Sequence, residues 1–155
     1  MDTTELKQWY IEKNIEKATI EGFWKCYNNY KKEDSYKFEE SFGSHIDDRL
    51  IRTEAGKVQL THIFGYGDFT YSILYIYYID YYIAEYKLVF TLDGEVEDDI
   101  LRLQSSNDIK KLTIEVNRSI EIVKKSIEES MDCELIAKIT GLDVNFIKQL
   151  YKDDK

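Results

Sequence analysis

The stretch YSILYIYYIDYYIAEY, residues 71–86, packs seven of the chain's thirteen tyrosines into sixteen residues. Three structures suit such a run: a membrane helix, a core strand or an aromatic binding surface. A transmembrane helix needs about twenty consecutive apolar residues. The run from Phe69 to Ala84 is sixteen residues long and contains Asp80, and every phenol in lipid would need a hydrogen-bond partner. The membrane reading therefore fails. Ile, Tyr and Phe favour strands, and the preceding FGYGDFT reads as a loop whose two glycines allow unusual backbone angles. As one strand, the stretch puts Ile73, Tyr75, Tyr77, Ile79, Tyr81 and Ile83 on one face. The other face carries Leu74, Ile76, Tyr78, Asp80, Tyr82 and Ala84.

A strand covered on one side alternates with polar residues, and this one does not. Two expectations follow. In one, helices cover one face, and loops or a second copy of the chain cover the other. In the other, one face is an exposed aromatic platform for a partner. Tyrosine suits that role because it buries a large area at little entropic cost and keeps a polar tip. Tyr75, Tyr77, Tyr78, Tyr81 and Tyr82 are the candidate contact residues.

Around this stretch the pattern predicts an α+β fold in a chain of 155 residues, about one domain's length. Residues 4–32 read as an N-terminal helix capped by Thr3 or Thr4, with Gly22 as a possible bend. Residues 36–103 read as an antiparallel sheet. YKFEESFG is taken as a strand and DRLIRTEAGKVQLTHIF as a hairpin turning at EAGK. YKLVFTLDGEVEDDILRL is a hairpin turning at Asp93-Gly94. Residues 106–131 form a long amphipathic helix capped by Ser105. Ile109, Leu112, Val116, Ile120, Val123, Ile127 and Met131 make its apolar seam, widened by Ile114 and Ile122. Two short helices, CELIAKIT and VNFIKQLYK, make a tail joined at Gly141-Leu142-Asp143. The expected organisation is a domain over 1–131 with the tail, 132–155, packed on it.

The net charge of −9 argues against nucleic acid, because no basic run longer than a lysine pair offsets it. A basic protein is the better partner. DGEVEDD carries Asp93, Glu95, Glu97, Asp98 and Asp99. It reads either as a solvated turn or as an electrostatic lure for such a partner, and it does not match an EF-hand loop. Cys26 and Cys133 lie in no motif and read as two reduced, largely buried thiols. The N-terminus MDTTELKQWY lacks the pattern of a signal peptide, so a cytoplasmic protein is expected.

Catalytic patterns are sparse. His45 and His62 sit in no metal-binding spacing. Ser44, His45 and Asp47 are neighbours in sequence only, and His62 reads as a core or sheet histidine. No phosphate-binding loop or nucleophile elbow is present, and no cofactor is expected. GDF at 67–69 followed by AEYK at 84–87 resembles the catalytic pattern of PD-(D/E)XK nucleases. That resemblance implies metal-holding acids at Asp68 and Glu85 and a water-positioning Lys87.

CELIAKITGLDVNFIKQL, residues 133–150, is similar to the C-terminal segment of Rpn/YhgA-like transposase-associated nucleases and looks like a minimal helix-turn-helix. This implies a nuclease or DNA-binding link, with Asn145, Lys148 and Gln149 as the groove-facing residues. The overall shape and charge look like small acidic bacterial immunity or inhibitor proteins. The expectation is therefore a non-enzymatic inhibitor of a basic toxin or nucleic-acid-binding protein. It would act through the tyrosine face and the acidic hairpin. A homodimer, a metal-dependent nuclease and a helix-turn-helix regulator are the alternatives.

Overall fold

The structure, a computed structural model, describes residues 1–153. They form six α-helices and one four-stranded antiparallel sheet, an α+β fold. Helices α1 (Thr3–Glu12), α2 (Ile15–Glu33) and α3 (Ser35–Phe42) come first. Strands β1 (Ile51–Ile63), β2 (Gly67–Tyr78), β3 (Tyr81–Thr91) and β4 (Val96–Leu103) follow. Helices α4 (Ser106–Glu128), α5 (Cys133–Thr140) and α6 (Val144–Asp153) close the chain. The strands pair in chain order, β1-β2-β3-β4.

Residues 71–86 are two strands. The chain turns at Ile79 and Asp80, with Ile79 at φ +56° and its N–H donating to the Leu50 carbonyl. The single-strand reading is corrected there: Tyr82 moves to the face of Tyr77, and even parity returns from Ala84 on. Across the turn Tyr77 pairs with Tyr82 and Ile76 with Ala84, so an irregularity at Ile76/Tyr77 leaves Ile83 unpaired. Ile83 is buried in the core.

Other corrections have local causes. The N-terminal helix breaks at Asn14, which is left-handed at φ 51°, and continues unbroken through Gly22. Gly22 is needed for contact: a Cβ there would lie 2.9 Å from the Tyr86 hydroxyl oxygen. Asp2 caps α1, accepting from Thr4 and Glu5 N–H in a capping box, in place of Thr3 or Thr4. YKFEESF is helical, capped by Asp34, which accepts from the Lys37 N–H. Phe38 and Phe42 are one helical turn apart, so both rings reach Tyr27 and Tyr30. EAGK is no turn; β1 runs through it with a bulge at Gly56. The β1–β2 turn lies instead at residues 64–66.

One face of the sheet is packed. Ser72, Leu74, Ile76 and Tyr78 of β2 and Ala84, Tyr86, Leu88 and Phe90 of β3 are buried. The ring contacts between helices and sheet fall on this even-numbered face. Trp9 packs edge-on to Phe90 and Phe23 edge-on to Tyr86. The Trp9 indole N–H donates to the Leu92 carbonyl, tying α1 to the β3–β4 end. Helix α4 keeps the expected seam through Ile109, Val116, Ile120 and Val123, all buried, with the Ser105 cap in place, but it ends at Glu128, and Met131 lies beyond it past Ser130 at φ +61°. Ile114 and Ile122 do not widen it; both are exposed. The tail shares the same core cluster through Ile136, Leu142, Phe146, Ile147 and Leu150.

Candidate protein-binding face

Among the described residues, the odd-numbered face of the sheet carries none of these helix-to-sheet ring contacts, although Ile73 and Val89 are buried there and, at one end, Tyr82 borders a hollow with Ile109 and Leu112 of α4. Phe69, Tyr71, Tyr75 and Tyr77 of β2 form a column there, half-buried by their strand neighbours. Tyr82 joins it from β3, with ring centroids 5.8 Å from Tyr75 and 5.9 Å from Tyr77. Cations stack on the column. The Arg52 guanidinium lies 4.4 Å from the Tyr77 ring centre, and the Lys87 ammonium 5.0 Å from that of Tyr71. Arg52 is also paired with Glu54 at 2.9 Å. Partial burial, and then the nearby Glu85, raise the Tyr82 phenol above its ordinary pKa. The face thus offers preordered rings with charged neighbours of both signs.

Two of the five expected tyrosines are elsewhere. Tyr78 is 0% exposed in the core, its hydroxyl accepting the Asp47 N–H at 3.2 Å. Tyr81 is 63% exposed at the β2–β3 turn. Tyr75, Tyr77 and Tyr82 converge; Tyr78 and Tyr81 do not join them.

The acidic hairpin turns as read. Gly94 is at φ +88° and donates its N–H to the Thr91 carbonyl. Asp93, Glu95, Glu97, Asp98 and Asp99 are all exposed. They do not act alike. Asp98 pairs with Val89 and belongs to the bare face. Asp99 lies on the helix side, accepting from the Tyr86 hydroxyl at 3.1 Å. Burial, and then Asp99 beside it, push the Cys26 thiol up to about 11. Cys26 and Cys133 are both free and partly buried.

The acidic turn and the converging tyrosines lie at opposite ends of the sheet. The ten-residue rise along β3 from Tyr82 to Leu92 is about 33 Å. The sequence reading missed what stands near the acids. Phe64 is 90% and Tyr66 82% exposed at the β1–β2 turn, the same end of the sheet, with Leu92 and Val96 also exposed. The signal was present as two aromatics flanking Gly65 between strand patterns.

The nuclease residues do not converge. Asp68 faces His62 across β1–β2, with the His62 Nδ1 2.6 Å from its Oδ1. Glu85 and Lys87 are on the opposite face, opposite Tyr75 and Ile73. Ile73 is itself five residues from Asp68 along β2, a rise of about 17 Å. Among the described residues no group of three or more His, Cys, Asp or Glu side chains is placed to hold a metal ion. His62 is on the sheet but exposed, not in the core. His45 lines a separate surface hollow with Glu39 and Lys110.

In the tail, Asn145, Lys148 and Gln149 are exposed on α6 and border a groove with Arg49 and Arg52. Asp47 and Glu54 pair with those arginines, and Asp143 caps α6 by accepting from Asn145 N–H. The local charge is therefore balanced.

No described helix is long and apolar enough to cross a membrane. Comparison with known proteins finds no matching family model, no significantly similar curated protein and no significantly similar solved structure.

Proposed function

We propose that this chain works by binding a basic protein and inhibits it by covering its active site, as a bacterial immunity or anti-defence protein does. The observation that carries this reading is the sheet face turned away from Trp9 and Phe23, with its column of Tyr75, Tyr77 and Tyr82 rings. A partner laid on that face removes aromatic area from water without first having to order it. The net charge of −9 and the acids around Gly94 supply attraction at a distance and speed encounter with a basic partner. Phe64 and Tyr66 add apolar contact beside those acids.

Affinity capture from the source cell, at low and then high salt, provides the partner for the test. The reading expects a stoichiometric basic protein released by salt. Reversing Asp93, Glu95 and Glu97 to lysine is expected to slow association about tenfold or more at low salt and leave the fold intact. Asp99 is spared because it holds the Tyr86 hydroxyl. An unchanged on-rate would sink the steering argument. Recovery of the chain alone would favour a homodimer joined through the bare face. The regulator alternative rests on the exposed Asn145, Lys148 and Gln149 of α6. It is scored by salt-sensitive DNA binding lost in Lys148→Ala, which the protein-binding reading does not expect.

A further inference from the structure

Strand β4 is an edge strand, and a groove of about 830 Å³ runs between it and α2. Gln104 donates its N–H to the Ile83 carbonyl at 2.9 Å. Backbone groups alternate in direction along an antiparallel strand. Asp98, Ile100 and Arg102 therefore turn theirs toward β3, while Asp99, Leu101 and Leu103 turn theirs outward. Those same three residues pair with Leu88, Tyr86 and Ala84, which places their side chains on the helix side. The open backbone and the groove wall thus belong to the same residues. Among the described residues, the edge has one local partner: Asp98 Oδ1 accepts the Asp99 N–H at 2.8 Å.

We infer that this edge and groove receive an extended, lysine- or arginine-bearing segment of a partner protein, which adds to β4 as a fifth strand. The inference rests on the reading that the partner is basic, and it names the part of the partner that docks. Strand addition draws affinity from backbone bonds and specificity from alternate side chains. Here the alternate side chains on the helix side would meet Ala18 and Cys26 of α2 and Leu101 and Leu103 of β4. The charge of the occupant follows from the groove. Glu33, Glu97 and Asp99 line it against Lys25 alone among the cations. Neutral or acidic strands gain nothing from those carboxylates, and a second copy would bring its own net charge of −9 against this one. The other edge, β1, is a poorer template, because its bulge at Gly56 falls within the strand, whereas that of β4 falls at Glu97 and leaves Asp98–Leu103 in regular register.

The test uses a capped, fluorescently labelled hexapeptide alternating lysine and valine, titrated with the full chain at low salt. Saturable binding is expected. It should weaken at least tenfold in Glu33→Lys/Glu97→Lys, and at least tenfold when alternate peptide nitrogens are methylated. Leu101→Pro should do the same, since it removes an outward N–H and no bond to β3. If that variant fails to fold, the methylated peptide and the charge variant still decide the matter. Equal binding of the methylated peptide would reduce the effect to bulk charge attraction and overturn strand addition. So would the absence of saturable binding, or a dimer of the chain that Leu101→Pro returns to monomer. The peptide needs no natural partner. Failure here removes this site and leaves the bare-face reading to stand or fall on its own captured protein.

Discussion

Tyr86 and Tyr75 sit on neighbouring strands of one sheet and face opposite ways. Tyr86 is buried, its ring against Phe23 and its hydroxyl on Asp99. Tyr75 points to the bare side and is half-buried, with the Tyr82 ring centre at 5.8 Å. The residue type is the same, and parity along the strand decides its work. On the even side a tyrosine is core with one satisfied polar atom. On the odd side it is surface with a large apolar ring. The comparison teaches that a tyrosine-rich strand need not be buried on both faces, because the phenol tolerates either environment.

The largest effect should come from removing the buried ring. Tyr86→Ala leaves a cavity beneath α2 and is expected to cost about 3–5 kcal/mol, read as a lower urea midpoint. Tyr75→Ala is expected to cost about 1 kcal/mol or less, in line with surface substitutions. Equal costs would erase the distinction between the faces.

Two glycines sharpen it further. A Cβ at Gly22 meets the Tyr86 hydroxyl at 2.9 Å and Leu88 Cδ2 at 3.1 Å. Helix propensity favours Gly22→Ala by about 1 kcal/mol, and overpacking opposes it by about 1–3 kcal/mol. A net loss near 1 kcal/mol in the same urea assay is expected. A Cβ at Gly56 meets the Tyr75 ring at 2.7 Å. That ring is half-buried, and the Ile73 carbonyl oxygen lies 3.1 Å from the same Cβ, so Gly56→Ala should displace Tyr75 and shift its resonances.

The smallest effect concerns pH. Burial, and then Asp48, raise the Tyr27 phenol; burial, and then Asp99, raise the Tyr86 phenol and the Cys26 thiol. A group whose pKa is raised on folding stabilises the fold fully below its unfolded value. That stabilisation is lost as pH rises through the folded value. The ordinary values are 9.0 for the thiol and 10.0 for the phenols. Stability should therefore be flat through neutral pH and fall as pH rises above 9.0 toward and beyond about 11, where the Cys26 thiol titrates. Tyr86→Phe should make that fall shallower, as followed by urea unfolding at stepped pH. Cys26 alkylation should stay slow until the same alkaline range.

How much of this was legible depended on the range of the signal. The Asp93-Gly94 turn and the α4 seam were readable because each is a local pattern with one solution. Phe38 and Phe42 were misread because a helical turn and a pair of alternating strand positions both place rings on one side in a short segment. The EAGK turn was misread because a bulge glycine and a turn glycine look alike. The hairpin at Ile79-Asp80 lacked any turn dipeptide, and its positive φ falls on a β-branched residue. That missing turn also misplaced Tyr81, whereas Tyr78 was set on the right face and misread only in being counted among the contact residues. The bareness of the odd face was not readable at all. It follows from which side α2 crosses, a long-range matter.

The most direct test of the account is the double variant Tyr75→Ala/Tyr77→Ala, assayed for both stability and affinity for the captured basic partner. The account predicts an unfolding free energy within about 1–2 kcal/mol of the parent and a loss of affinity of about a hundredfold, as for paired aromatic hot spots. A variant that unfolds as readily as Tyr86→Ala, or that binds the partner undiminished, would contradict it.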